Sequence, residues 1–265
     1  MRRLHTSRSP EPDDRAGEGF EGLELEGDPI GPTGDELPWL RPFGSAIPGG
    51  ALTPATVESE AEDERVLRQS RELAATGRRL DAILLLRRQL EDDPAAAAVR
   101  TALAELLDAE GEGESALEEL SRALGDARDP VPVLVRRGAL LARFGRTAEA
   151  EADLRAAIAR APGSAPAHYQ LGLALLRRGR ASEAAAAFRH ALANAPEDAD
   201  ATYHLGEALL AAGELLAALS ALERAAALTP SDARSFKLMG RVLDRMGRTD
   251  EAMAMHRRAR EASAR

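Results

Sequence analysis

Apolar and small residues recur along most of this chain with the spacing of two amphipathic helices. In residues 165–198 two stripes each follow one face of a helix with 3.6 residues per turn. The first stripe consists of His168, Leu171, Gly172 and Leu175, and the second of Ala184, Phe188, Ala191 and Leu192. Gly179 suits the left-handed backbone conformation that often ends a helix, here the first one, and Pro196 ends the second helix. The stretch therefore predicts a helix–turn–helix unit.

The same unit occurs six times at a spacing of 34 residues, with no insertion or deletion. The shared positions are Leu73, Leu107, Leu141, Leu175, Leu209 and Leu243, then Gly77, Gly111, Gly145, Gly179, Gly213 and Gly247, then Ala82, Ala116, Ala150, Ala184, Ala218 and Ala252. A unit this small cannot bury its own apolar face and must stack on a neighbour. We therefore predict an all-α fold, a superhelical solenoid of six repeats. The repeats are 63–96, 97–130, 131–164, 165–198, 199–232 and 233–265.

Small residues at two positions indicate where the helices of one unit approach each other. Gly172 and its equivalents Gly138, Gly206 and Gly240 allow close contact, and we expect Ala184 to occupy the spot facing Gly172. In the sixth copy His256 and Arg260 replace apolar residues of the second stripe. Terminal repeats of solenoids need a soluble outer face, so this change predicts that no further helix covers the sixth repeat.

This pattern resembles that of the tetratricopeptide repeat family. The resemblance is carried by Leu171-Gly172, Gly179, Ala184, Phe188, Ala191 and Pro196, and in the next unit by Leu205-Gly206, Gly213, Ala218, Leu222, Ala225 and Pro230. It covers about 203 of 265 residues, although the first unit has Gln69-Ser70 in place of Leu-Gly. The resemblance implies a right-handed superhelix of helix pairs with a concave groove, in a family that typically binds segments of other proteins.

Residues 1–60 differ from the repeats and predict a disordered acidic tail rich in proline and glycine. They hold eight of the 15 prolines and nine of the 22 glycines. Such segments bury too little surface to offset the loss of chain entropy. Helical composition begins near Val57, and a cluster around the single tryptophan, Trp39, stands out within the tail. Residues 1–62 contain five arginines and thirteen acidic residues, so they carry nearly all of the net charge of −9.

Composition and motif searches exclude several classes of function. The repeats lack the basic excess of proteins that neutralise phosphates, so no nucleic acid partner is expected. No apolar run is long enough for a membrane span, and the N-terminus does not resemble a secretory signal. The absence of cysteine fits a cytoplasmic location. No nucleophile, metal or cofactor motif is found, so we expect no enzyme and no cofactor. Packed or surface histidines are favoured over the alternative, a metal pair formed by His168 and His204 across neighbouring repeats.

If unit positions 4, 7, 8 and 11 face the core, positions 2, 5, 9 and 12 line the groove. The resulting candidate peptide-binding residues are Val135, Tyr169, Leu173, Leu176, Tyr203, Glu207, Leu210, Arg234, Lys237 and Arg241. The middle of the groove is apolar and aromatic, with acids towards repeat two and bases in repeat six. Rigid aromatic side chains are typical binding anchors. Tyr169 and Tyr203 are equally compatible with a role in packing the helices.

The sequence thus predicts a non-enzymatic interaction module that binds an apolar and acidic peptide segment of a partner protein. The alternative is a self-assembling scaffold or homo-oligomer that uses the repeat ends or the convex face. The segment of the tail around Trp39 combines apolar residues with Asp35 and Glu36. It is therefore a further candidate ligand, since its acids complement Arg234, Lys237 and Arg241, although an unattached linker is the favoured interpretation.

Overall fold

The repeat region consists of paired helices. The computed structural model describes residues 54–264, with side chains from residue 61 onward, and this range contains twelve helices and no strand. The helices are α1 (Pro54–Ala75), α2 (Arg79–Asp92), α3 (Ala97–Ala109), α4 (Gly113–Asp126), α5 (Val131–Arg143), α6 (Thr147–Arg160), α7 (Ala165–Arg177), α8 (Ala181–Asn194), α9 (Ala199–Ala211), α10 (Leu215–Leu228), α11 (Ala233–Arg245) and α12 (Thr249–Ser263). The predicted all-α repeat solenoid is confirmed.

The turn inside each repeat depends on its glycine. All six of these glycines have φ between 70° and 85°, the left-handed region that strains other residues. In repeat four the N–H of Gly179 donates to the carbonyl of Leu176, and the N–H of Arg180 donates to that of Leu175. These two bonds satisfy the last carbonyls of α7 and turn the chain directly into α8.

The two helices of a repeat meet where a glycine faces a large side chain. A Cβ placed on Gly172 would lie 2.6 Å from Cε1 of Phe188, and one on Gly206 would lie 2.6 Å from Cγ of Leu222. Ala184 is fully buried, as are its five equivalents. Phe188 is the side chain nearest to Gly172. In repeats three and five the backbone oxygens of Ala150 and Ala218, the equivalents of Ala184, lie 3.3 Å and 3.4 Å from a Cβ placed on the facing glycine, so there the glycine faces both the alanine position and the large residue four places after it.

Neighbouring repeats bury a further set of residues on the first helices. In repeats three to six, the third and tenth unit positions are buried, as Val133 and Leu140 are on α5. The first helices of successive repeats also contact each other, in the pairs α1 with α3, α5 with α7, α7 with α9, and α9 with α11. Consecutive second helices make no comparable contact within the described range. The first helices therefore lie on the inner side of the array.

The ends of the array differ from its interior. Helix α1 begins at Pro54, ahead of Val57, and so includes the last seven residues that composition assigns to the tail. At the other end the imidazole of His256 packs against Gly240 and lies 3.1 Å from a carboxylate oxygen of Asp244, while Arg260 is exposed. The predicted tail up to residue 53, with the segment around Trp39, lies outside the described residues. Within the described residues no helix is long and apolar enough to cross a membrane.

Candidate functional site

The predicted groove residues lie on the first helices of repeats three to six. They occupy α5 (Val135), α7 (Tyr169, Leu173 and Leu176), α9 (Tyr203, Glu207 and Leu210) and α11 (Arg234, Lys237 and Arg241). Because α5, α7, α9 and α11 form successive contacts, these side chains belong to one continuous surface, which we call the inner groove. The predicted groove residues differ in how much of each side chain is exposed.

Two of the predicted groove residues belong to the core. Val135 is 9% exposed and packs with Leu134, while Leu210 is 5% exposed within the apolar core of repeats four to six. Leu173 and Leu176 are half-buried and form the apolar floor of the inner groove. Leu173 and Leu176 can therefore contact a ligand, whereas Val135 and Leu210 are almost completely covered by the protein itself.

The two tyrosines join one aromatic cluster through a histidine. The ring of His204 lies 5.8 Å from that of Tyr169 and 5.1 Å from that of Tyr203, both edge to face. Tyr169 also packs edge to face on Phe188 at 5.8 Å. Both tyrosines are half-buried, so each packs the helices and still borders the inner groove. The two roles that the sequence leaves open are therefore compatible in one side chain.

Burial favours the neutral form of both tyrosine hydroxyls. Burial, followed by the charges of Asp200 and Asp198, raises the pKa of Tyr169 well above its ordinary value. Burial and the charge of Glu207 raise the pKa of Tyr203 to about 12, although Arg234 opposes the shift. Neither hydroxyl has a hydrogen-bond partner among the described residues. Both groups are thus protonated donors available at the surface of the inner groove at neutral pH.

The cations of repeat six differ in whether they are already paired. Arg234 donates to Asp200 at 2.8 Å and to Asp232, and its guanidinium lies 5.0 Å from the ring centre of Tyr203. Lys237 and Arg241 are exposed and form no ion pair with any residue that the structure describes. A negatively charged ligand would find these two charges uncompensated.

The acids predicted at the opposite end are neutralised by repeat three. Glu105 forms an ion pair with Arg136, and Asp108 forms one with Arg143. Glu207, in the middle, accepts a hydrogen bond from His204 Nδ1 over 2.9 Å. Of the two charged ends that the sequence predicts for the groove, only the positive end in repeat six therefore keeps charge that is unpaired within the described residues.

The structure adds groove residues that the sequence pattern missed. His204 occupies unit position 6, and Arg143, Arg177 and Arg245 occupy position 13. Arg245 donates to the carbonyl of Leu210 at 2.9 Å, so its charge has no carboxylate partner among the residues described. The recurrence of arginine at position 13 in repeats three, four and six was the signal available in the sequence.

His168 and His204 pack against other groups, as the favoured interpretation of the sequence predicts, and not against each other. The ring of His168 stacks on that of His190, with centroids 5.1 Å apart, and His168 Nε2 lies 2.8 Å from the carbonyl oxygen of Pro162. His204 stacks instead on Phe188 at 5.8 Å. Within residues 61–264 no group of three or more histidine or acidic side chains is arranged to hold a metal ion.

Comparison with family models agrees with the repeat geometry. Models described as tetratricopeptide repeat match residues 73–134, 135–199 and 169–233, which together make up more than half of the chain. The chain belongs to the tetratricopeptide repeat family. Proteins of this family are in general non-enzymatic modules for protein–protein interaction, and the fold of this member is that of such a module.

Solved structures of other tetratricopeptide repeat proteins share the fold. MamA is 25% identical with a TM-score of 0.57, covering 61% of this chain and 95% of its own. PilF of Pseudomonas aeruginosa is 24% identical with a TM-score of 0.66, covering 75% and 90%. YrrB, described as a TPR protein with an unusual peptide-binding site, is 20% identical with a TM-score of 0.52, covering 68% and 93%. No curated protein sequence matches the chain.

Proposed function

We propose that this tetratricopeptide repeat protein binds a peptide segment of a partner protein in its inner groove. The observation that carries the proposal is the continuous surface of repeats four to six, where α7, α9 and α11 contact each other in turn. These helices carry Leu173 and Leu176, then Tyr203, then Lys237 and Arg241. Half-buried leucine and tyrosine offer apolar area at little cost in side-chain entropy. The family's fold supports a role in binding proteins, and the groove supplies the surface for it.

The charges of the groove favour a ligand that is acidic as well as apolar. Four acids of the groove lie beside a basic side chain or a histidine, whereas Lys237 and Arg241 have no carboxylate partner among the described residues. These acids are Glu105, Asp108, Asp200 and Glu207. Complementary charge increases the rate of association and excludes partners of the wrong sign. An apolar segment with Asp or Glu at one end meets both features. The segment around Trp39 has this composition, lies outside the described residues and stays a prediction as a ligand.

The test is selection of peptides from a displayed library of random twelve-residue segments on the full chain. We expect enrichment of peptides that combine apolar and acidic residues. A selected peptide should bind Tyr203→Ala at least about fivefold more weakly, in line with about 1 kcal/mol for an aromatic contact. Leu216→Ala is the matched control, because Leu216 is 74% exposed on α10 of the same repeat but lies on a second helix.

Two results would contradict the proposal. Selection that enriches no peptide above an unrelated helical protein would exclude a general peptide-binding groove. Peptides that lose affinity with Leu216→Ala and not with Tyr203→Ala would place binding on the outer side. Circular dichroism of both variants shows whether the fold is retained, so that a loss of affinity is not mistaken for unfolding.

The alternative function, self-assembly through the repeat ends, is favoured by one observation. Met253 on α12 is 54% exposed, whereas its equivalents in the five preceding repeats are covered by the next repeat. Two copies that met through α12 would bury this side chain. Light scattering of the full chain across a range of concentrations tests this alternative, since assembly should decrease in Met253→Glu and persist in the groove variant Tyr203→Ala.

A further inference from the structure

The inner groove repeats one structural position at regular intervals. Tyr169, Tyr203 and Lys237 occupy unit position 5 on α7, α9 and α11, and these helices contact each other in that order. Since the rings of Tyr169 and Tyr203 lie 5.8 Å and 5.1 Å from that of His204, the two tyrosines are at most about 11 Å apart. Packed helices are generally separated by about 8–10 Å. A ligand crossing the groove therefore meets an equivalent side chain about every 10 Å.

This interval corresponds to different residue spacings in different ligands. An extended peptide in the polyproline II conformation rises about 3.1 Å per residue with three residues per turn, so every third residue lies on one face of the peptide, about 9 Å from the last, and can contact successive position-5 side chains. A helical peptide rises about 1.5 Å per residue and needs about seven residues for the same distance. The spacing of a ligand's contact residues therefore reports its conformation in the groove.

The hydrogen-bonding groups of the groove favour the extended form. The hydroxyls of Tyr169 and Tyr203 make no hydrogen bond with the described residues, and a tyrosine hydroxyl is a protonated donor at neutral pH. Arg177, on the rim of the same surface, forms no ion pair within residues 61–264. A peptide in extended form has carbonyl oxygens free to accept from such donors, whereas a helix uses its carbonyls internally.

We propose that the groove reads an extended segment in which two apolar residues three positions apart are followed, three positions further, by Asp or Glu. The apolar side chains lie against Tyr169 and Tyr203, and the carboxylate pairs with Lys237. Arg241, one helical turn beyond Lys237, adds a second cation beside it. The pattern is read in either chain direction, since neither the side-chain contacts nor carbonyl oxygens that accept from the tyrosine hydroxyls depend on which way the peptide runs. This inference rests on the proposed function and specifies the class of its ligand.

The experiment repeats the peptide selection on the full chain carrying Lys237→Glu. On the unmodified chain, Asp or Glu should be enriched three positions from the nearer member of an apolar pair with spacing three. On Lys237→Glu the same position should change to Lys or Arg. A peptide selected on the unmodified chain should bind the variant roughly five- to tenfold more weakly, as expected when an attractive pair becomes a repulsive one. Replacing its acid with Lys should restore the affinity.

Arg257→Glu provides the matched control. Arg257 is exposed in the same repeat on the second helix α12, so its reversal changes net charge equally and should leave the selected pattern unchanged. Apolar spacings near seven, or no preferred spacing, would overturn the extended register and leave the proposed function standing. A carboxylate preference unchanged in Lys237→Glu would also overturn it. Selection of no peptide at all would contradict the proposed function itself.

Discussion

A single hydrogen atom decides how close the two helices of repeat four can lie. Cβ of an alanine at position 172 would stand 2.6 Å from Cε1 and 2.7 Å from Cζ of Phe188, which is fully buried. Because Phe188 has no free space to move into, Gly172→Ala should destabilise the fold by roughly 1–3 kcal/mol through overpacking. Urea denaturation followed by circular dichroism measures the change in the free energy of unfolding.

Gly125→Ala is the control for this substitution. Gly125 lies within α4 and is exposed, and a Cβ there meets no atom within 4 Å. Alanine should therefore stabilise the helix by about 0.5–1 kcal/mol, since glycine is the poorer helix former. Equal effects of the two substitutions would show that helix propensity, and not contact with Phe188, determines the role of Gly172.

The two tyrosines make the fold sensitive to alkali. An unfolded tyrosine ionises near pH 10, whereas burial raises the pKa of Tyr203 to about 12 and that of Tyr169 further. Between these values the folded chain holds more protons than the unfolded chain, so stability is complete below about pH 10 and falls as pH rises further. Ultraviolet titration should show no tyrosinate at pH 10.5 in the native chain, but a substantial fraction in urea.

Both tyrosines can be followed together because the chain contains no others. Tyr203→Phe leaves Tyr169 as the single chromophore and assigns the two transitions. Ionisation of either residue near pH 10 in the native chain would mean that its hydroxyl is as solvated as in a free peptide, and would contradict the packing on His204.

At the scale of helices, the contact between repeats three and four is unusually polar. Glu151 on α6 is 3% exposed and occupies a position that holds Leu117 in repeat two and Leu219 in repeat five. It forms ion pairs with Arg155 at 2.5 Å and Arg180 at 2.6 Å, and with Arg178. Burial alone would raise the pKa of Glu151, but the hydrogen bond from Arg180 and the nearby arginine charges outweigh it and lower the pKa.

We expect Glu151→Gln to lose about 1–3 kcal/mol of stability at pH 7, because it weakens charge-assisted hydrogen bonds to a buried carboxylate. The lowered pKa makes this contribution complete above the unfolded value near 4.3, and it is lost as pH falls through the folded pKa. The variant should therefore lose less stability than the unmodified chain between pH 5 and pH 3. Denaturation in urea at several pH values measures both effects.

Glu151→Leu separates the charge from the packing. This substitution restores the kind of side chain found in repeats two and five. Arg155, Arg178 and Arg180 are 32–57% exposed, so their charges stay hydrated and the substitution leaves no unpaired charge in the core. Stability that remains close to that of the unmodified chain would fit this expectation. A loss as large as that of Glu151→Gln would mean that leucine cannot pack against the arginines left behind.

Periodicity predicts the helices because the same local sequence features recur in all six repeats. The turn glycines, the buried alanines and the stripe of Leu175 follow from one unit alone. Residues such as Val135 and Leu210 are different, because the neighbouring repeat covers them and a helical wheel of one repeat cannot show it. For the same reason the pattern of one repeat does not identify His204 as a groove residue, because its position between two tyrosines depends on contacts between α7 and α9. The sequence therefore predicts the fold better than the surface of the groove.

At the scale of the whole repeat region, the apolar core is divided. One cluster extends through repeats one to three and reaches Ala174, and another runs from Leu175 through repeats four to six. They meet at Leu171, which packs against both, and beside a small cluster around Leu134. The network of Glu151 lies at this same junction. In a solenoid, stability is a sum of repeat terms and nearest-neighbour terms, so a weak junction lets two halves unfold separately.

We therefore predict that weakening this junction divides the unfolding of the chain. Glu151→Ala removes both the carboxylate and the side-chain volume between α6 and α7, so repeats one to three and repeats four to six should separate into two transitions in urea. Hydrogen exchange should show protection lost in one half while the other retains it. Glu149→Ala is the matched control, because Glu149 is exposed on the same helix and pairs with Arg146 within one turn. A single transition in Glu151→Ala would show that Leu171 and the cluster around Leu134 suffice to couple the halves. Two transitions in Glu149→Ala would show that the division does not depend on Glu151.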